Sequence, residues 1–158
     1  MSRPFHLAFA VRDLESTRTF YGEDLGCEMG RSAATWQDFD LFGHQLSAHI
    51  GDVRGAGGGA VDGADDTLPQ IGVELSKAAG GAVAGDTVPV PHFGVVLPMS
   101  AWERVADRLK SRDIAFLIPP RIRFQGETGE QGTFFVQDPS GNTLEFKGFA
   151  DATQLFEG

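Results

Sequence analysis

Residues 6–26 read HLAFAVRDLESTRTFYGEDLG and residues 92–112 read HFGVVLPMSAWERVADRLKSR, and the fold is decided by laying one stretch over the other. Each begins with His, runs through strand-like alternation, passes a turn or cap signal and enters an amphipathic helical stretch. After Asp13 the apolar positions are Leu14, Phe20 and Leu25; in the second stretch Trp102, Val105 and Leu109 recur at three- and four-residue spacing. The closing segments match as well. FGHQLSAHI (42–50) lies over SGNTLEFKG (140–148) when Gly43 is set on Gly141 and Leu46 on Leu144. Such internal duplication predicts two copies of one unit, a strand, a helix and then several antiparallel strands, in an α+β chain. The opening histidines are 86 positions apart and the closing glycines 98, so the second copy is longer by twelve residues, which QGETGEQG (125–132) absorbs.

Between the copies the composition changes. Ten of the 21 glycines fall between Gly51 and Gly85. Glycine loses much backbone entropy on ordering and offers no side chain to compensate, so this stretch reads as a long connection. The expected organisation is a first module over 1–52, a connection over 53–90 with one short strand at IGVEL (71–75), a second module over 91–150 and a tail over 151–158. GAGGGA (55–60) lacks the preceding strand and following helix that a dinucleotide-binding loop needs. The rest of the composition narrows the function. Thirteen Lys+Arg against 22 Asp+Glu give a net charge of −9, of which the connection carries −3, and no basic cluster stands out to neutralise nucleic-acid phosphates. No apolar run approaches the roughly 18 residues that span a membrane, and the start lacks the apolar core of an export signal. One cysteine excludes an internal disulfide and a Cys-rich zinc site. The expectation is a cytoplasmic protein whose partner is a small molecule.

Strand parity places the chemistry. Successive strand residues face opposite sides. Leu7, Phe9 and Val11 share one face of the opening strand, as do Phe93, Val95 and Leu97 in the second copy, and these bulky faces must meet the helices. The other face carries His6 or His92 followed by small residues, Gly94 among them, which leaves space above the sheet. In the closing strands Leu46, Ala48 and Ile50 take the helix side; Gln45, Ser47 and His49 take the open side, as Thr143, Glu145 and Lys147 do in the second copy. Two imidazoles and a carboxylate on one open face, His6, His92 and Glu145, form the donor set that holds a divalent first-row metal with positions left open. Fe(II) is favoured, then Mn(II), Zn(II) or Ni(II). Ser47 stands where the repeat would place a second glutamate, and a neutral hydroxyl is a poor ligand, so the site is read as three-ligand. His49 is the expected catalytic acid/base, and Ser47, Gln45 and Lys147 the expected substrate contacts. Other conspicuous residues read as structural: Tyr21 packs in the first helix, Cys27 fills the core, His44 sits exposed at a turn, and residues 138–142 form a hairpin turn that orients Glu145. Arg121 and Arg123 read as a solvated strand edge.

The opening HLAFAVRDLESTRTFYGEDLG, the closing FFVQDPSGNTLEFKGF (134–149) and the two-unit spacing resemble the vicinal oxygen chelate superfamily, the glyoxalase, bleomycin-resistance and extradiol dioxygenase group, over about residues 4–150. The resemblance implies two βαβββ modules whose mixed, curled sheets enclose a shared metal-site cavity, with His6, His92 and Glu145 at the ligand positions. It also implies a homodimer. Glyoxalase I carries a glutamate where this chain has Ser47. The three-ligand pattern resembles instead the extradiol dioxygenases and the fosfomycin-resistance thiol transferases. The expected function is a dioxygenase-like oxidoreductase acting on a catechol-type substrate bound to Fe(II). The alternatives are a metal-dependent lyase or thiol transferase, or a metal-free drug- or metabolite-binding protein.

Overall fold

The structure, a computed structural model, describes residues 3–53, 81–83, 86–151, 153 and 155. Strand β1 (His6–Val11) leads into helix α1 (Leu14–Arg18), a π-helical turn (Thr19–Asp24) and strands β2 (Glu28–Ala33), β3 (Trp36–Leu41) and β4 (His44–Ile50). The second copy repeats the order with β7 (Phe93–Pro98), α2 (Met99–Ser111), β8 (Phe116–Arg123), β9 (Gln131–Gln137) and β10 (Thr143–Phe149). Each copy makes its own four-stranded mixed sheet, ordered β1-β4-β3-β2 and β7-β10-β9-β8, with the first and last strands parallel. These are the two βαβββ modules, and their sheets stay open. The connection contributes a hairpin of β5 (Gly81–Val83) and β6 (Asp86–Val88), which the sequence did not announce. The strand expected at IGVEL lies outside the described residues.

Asp13 starts α1 because its carboxylate accepts from the Ser16 backbone N–H at 2.8 Å and the Ser16 hydroxyl at 2.7 Å. The helix then widens into the π turn, which turns Phe20 and Tyr21 into the core. Parity holds for most positions. Val11, Leu46, Ala48, Leu144 and Phe146 are buried, and Leu7, Phe9 and Phe93 pack against the same core. Ile50 departs from it, being exposed at the end of β4.

One core serves both modules. The Phe9 and Phe93 rings meet at 5.2 Å, Tyr21 donates its hydroxyl to Asp138 Oδ2 at 3.1 Å, and Asn142 Nδ2 donates to the Ala10 carbonyl at 2.9 Å. Burial, followed by the charge and hydrogen bond of Asp138, drives the Tyr21 phenol well above its usual range, so it is a structural strut. The turn at 138–142 therefore docks one module on the other as well as shaping its own hairpin. Cys27 is buried and its thiol is pushed up to about 12 by that burial, which makes it the inert filler expected. An open cleft of about 570 Å3 lies between α1 and the Asp138 turn, away from the predicted ligands.

Candidate metal centre

The second module brings two of the candidate ligands together. Residue 94 lies in β7 directly beside Glu145 of β10, where a Cβ would meet the Glu145 carbonyl oxygen at 1.6 Å, so only glycine lets the two strands lie this close. Gly94 is thus required for backbone approach rather than for space above the sheet. That approach sets Glu145 below His92: Nε2 of His92 and Oε2 of Glu145 are 3.1 Å apart. Thr133 donates to Glu145 Oε1 at 2.8 Å, and Lys147 Nζ lies 3.8 Å from Oε2. His92 Nδ1 bonds to the Pro89 carbonyl, which can only accept, so Nδ1 carries the proton and Nε2 faces the carboxylate. The bond to Glu145 raises the His92 pKa, against burial, which lowers it. Burial alone would raise Glu145, yet the bonds from His92 and Thr133 and the Lys147 charge hold it below its usual value.

The first module carries the counterpart. His6 is exposed at the start of β1, with Nδ1 3.0 Å from Oε1 of Gln45, again an acceptor only, so Nε2 is left unprotonated in the neutral ring. Gln45 is held in turn because its Nε2 donates to Asp38 Oδ2 at 3.0 Å, and the Ser47 hydroxyl donates to the other carboxylate oxygen. Arg31 reaches Asp38 from outside at 3.3 Å. Ser47 thus binds a neighbouring carboxylate instead of supplying one. Asp38, 6% exposed on β3 opposite Ser47, was missed by the sequence reading. The alternation in WQDFDL put Asp38 on the open face, but only the β3–β4 register shows what it touches.

The predicted site residues therefore fall into two groups. His92 and Glu145 come together with Lys147 beside them; His6, Gln45 and Ser47 form a separate network. No group of three His, Cys, Asp or Glu side chains suited to a metal occurs among the described residues. His49 sits at the rim of the first module's open face, exposed and stacked on Trp36 with ring centroids 6.3 Å apart. By the repeat it is the counterpart of Lys147. His44 is half-buried rather than exposed, and its Nδ1 accepts from the Phe5 backbone N–H at 3.0 Å. Arg123 is also buried, not at a solvated edge.

The family model for the glyoxalase/bleomycin resistance protein/dioxygenase superfamily matches residues 3–146. The chain belongs to that superfamily. A glyoxalase/bleomycin resistance protein/dioxygenase from Alicyclobacillus acidocaldarius is similar over 98% of this chain and 97% of its own, at 29% identity and a TM-score of 0.70. Lactoylglutathione lyase from Agrobacterium tumefaciens covers 100% and 98% of the two chains at 17% identity, TM-score 0.59. A fosfomycin resistance protein from Listeria monocytogenes covers 98% of each at 17%, TM-score 0.59. At such identities these last two share the fold alone. No curated protein matches the chain. Superfamily members typically bind divalent metals; of the candidate donors only His92 and Glu145 lie together, and their 3.1 Å nitrogen-to-oxygen gap is close to what two bonds of about 2.1 Å at right angles produce. Among the described residues no helix is long and apolar enough to cross a membrane.

Proposed function

We propose that this superfamily member is a metal-dependent enzyme that engages a small substrate through two neighbouring oxygens, with Fe(II) as the favoured ion and dioxygenation as the favoured reaction. The observation that carries the reading is the matched preparation of two histidines. Each donates Nδ1–H to a fixed oxygen acceptor and leaves Nε2 for a ligand bond, and one of them faces a carboxylate at 3.1 Å. Ser47 in place of a second carboxylate supports a three-ligand ion with open positions over a four-ligand one.

His92 and Glu145 would hold the ion from one side. His6, which is not beside them, would reach the site from a second copy of the chain. The start of β1 and the start of β7 are edge strands, and exposed Phe5 and Val90 flank the two histidines, which supports a second copy docking there. A two-fold axis that brings His6 of one copy to His92 and Glu145 of the other makes two identical sites by one operation.

A divalent ion held there supplies Lewis acidity toward the substrate oxygens and, as Fe(II), redox capacity toward dioxygen. The protein does the rest. Thr133 fixes one Glu145 oxygen so that the other points at His92, Gln45 keeps the His6 ring in its ligating tautomer, Lys147 draws a negatively charged oxygen toward the site, and His49 exchanges the substrate proton at the rim.

Metal analysis of anaerobically purified protein beside His6→Ala and Glu145→Ala tests the reading. Wild type is expected to hold Fe(II) and both variants to lose it. Oxygen uptake with a panel of catechols then supports dioxygenation; metal without uptake favours a lyase or thiol transferase, and no metal in wild type leaves a binding protein.

A further inference from the structure

The open face of the first sheet carries two flat rings that the fold does not require. Register sets Trp36 of β3 beside His49 of β4, with Ala10 of β1 beyond His49 and Ala33 of β2 beyond Trp36. Cross-strand partners point to one face. Phe39, Leu46 and Ala48, the alternate residues of β3 and β4, lie in the core, so this row stands on the other side. The matching row of the second sheet runs Val96, Lys147, Thr133, Arg121, so the repeat builds the same row with no ring in it.

The Trp36 and His49 ring centroids are 6.3 Å apart with planes 29° from parallel, an offset stack that leaves part of each ring uncovered. Trp36 is half-buried and His49 exposed. Tryptophan is usually more deeply buried than this. Among the described residues neither side chain makes a hydrogen bond or ion pair, and each ring's aromatic partner is the other. Their outer faces look over Ala10 and Ala33, and a methyl group rises too little above a strand to cover a ring on the next one. The two outer faces are not equivalent. Ala33 lies on β2, a sheet edge exposed at all six positions. Ala10 lies on β1, where Asn142 of the other module reaches its carbonyl. From Ala10 the open face runs past Ala8 and Ser47 to His6, a floor of small side chains over four strand residues, about 13 Å.

We propose that the space over Ala10 is a seat for a planar aromatic ring, stacked on the outer face of His49 with Trp36 behind it, and that the substrate carries such a ring as a substituent. This deepens the proposed function and rests on it for the oxygen pair near His6; the seat itself stands on the two rings and the alanines beside them. A ring over Ala10 lies about 13 Å from the His6 position, too far to bear the oxygen pair itself, so the substrate is longer than catechol. His49 stacks with its face and exchanges the proton at a ring nitrogen on its edge, so the two roles do not compete.

NMR titration of metal-free protein with isotope-labelled alanine methyls tests the seat. The probes are benzyl alcohol and its saturated counterpart cyclohexylmethanol, which has the same skeleton without the flat ring. An aromatic ring shields what lies under its face, so benzyl alcohol is expected to move the Ala10 methyl and the His49 ring protons upfield and to leave the Ala33 methyl in place. Cyclohexylmethanol is expected to bind about three- to tenfold more weakly and to cause no such shift. Ala10→Leu fills the seat and His49→Ala removes its wall; each is expected to abolish the shifts and weaken benzyl alcohol about tenfold, while His49→Phe, which keeps a flat face, and Ala33→Leu retain binding. Circular dichroism checks folding, and the two His49 variants, at an exposed position, decide the matter if Ala10→Leu does not fold. Equal binding of the two probes, or an upfield shift confined to Ala33, overturns the seat. Metal uptake by a protein whose Ala10 and His49 signals do not respond to benzyl alcohol overturns the seat and leaves the metal-dependent enzyme standing. Shifts at both residues in a protein that takes up no metal support the seat and remove the metal-dependent enzyme.

Discussion

Gln45 turns Oε1, its only acceptor, toward His6 because its Nε2 donates to Asp38. The tautomer of this candidate ligand thus depends on a carboxylate two strands away. Gln45→Leu removes the acceptor while filling similar space, so His6 should populate both neutral tautomers, read by long-range proton–nitrogen NMR, and metal affinity should fall about 10- to 100-fold. Asp38→Ala leaves the Gln45 and Ser47 donors without their acceptor and is expected to cost about 1–3 kcal/mol by urea denaturation. Its pH dependence has a definite sign. Burial pushes the Asp38 carboxyl up, but bonds from Ser47 and Gln45 and the Arg31 charge outweigh that and hold it below its usual range. The stabilisation is therefore complete above the unfolded value of about 3.9 and is lost as the pH falls through the lower folded value, so wild type and Asp38→Asn should converge in stability in strong acid. The sequence displayed His6 and Ser47 through the repeat. It hid Asp38, whose role comes from a hydrogen-bond partner nine residues away that only strand register identifies.

At the scale of elements, the parallel pairing of β7 and β10 is what places His92 over Glu145, and Gly94 sets their separation. Gly94→Ala drives a methyl group into the Glu145 carbonyl, so the strands must part. The expected cost is about 3 kcal/mol or more in urea denaturation, together with loss of bound metal. Gly43→Ala is the control. It meets nothing within 4 Å, but its φ of +89° strains an L-residue, so about 1 kcal/mol of destabilisation with metal binding intact is expected. Equal effects of the two substitutions would show that strand separation does not control the site. Strands whose faces differ in bulk were legible, since alternation alone separates Leu144 and Phe146 from Glu145. The π turn was not, because a helix widened around Phe20 and Tyr21 keeps an apolar periodicity close to that of an α-helix. Ile50 misled for a related reason: parity assigns a face, but a strand end can project beyond the core it faces.

For the whole molecule, the repeat foretold the two modules, while nothing in one chain's sequence says whether a candidate ligand acts in its own chain or in a partner. The modules use their apolar faces on each other and on the helices, which leaves the His6 network and the His92–Glu145 pair as separate groups. Mixing two dead variants discriminates the arrangements. His6→Ala keeps His92 and Glu145, and Glu145→Ala keeps His6. If sites form between copies, a heterodimer of the two has one site with both defects and one fully intact. After equal amounts are unfolded together and refolded, half of the dimers are mixed, so about a quarter of the wild-type metal content should return from two preparations that each hold almost none. The recovered fraction should bind at wild-type affinity, because the restored site has all its ligands. Sites confined to single chains would give no recovery at any mixing ratio, and a mixture that stays monomeric by light scattering would exclude the shared site directly.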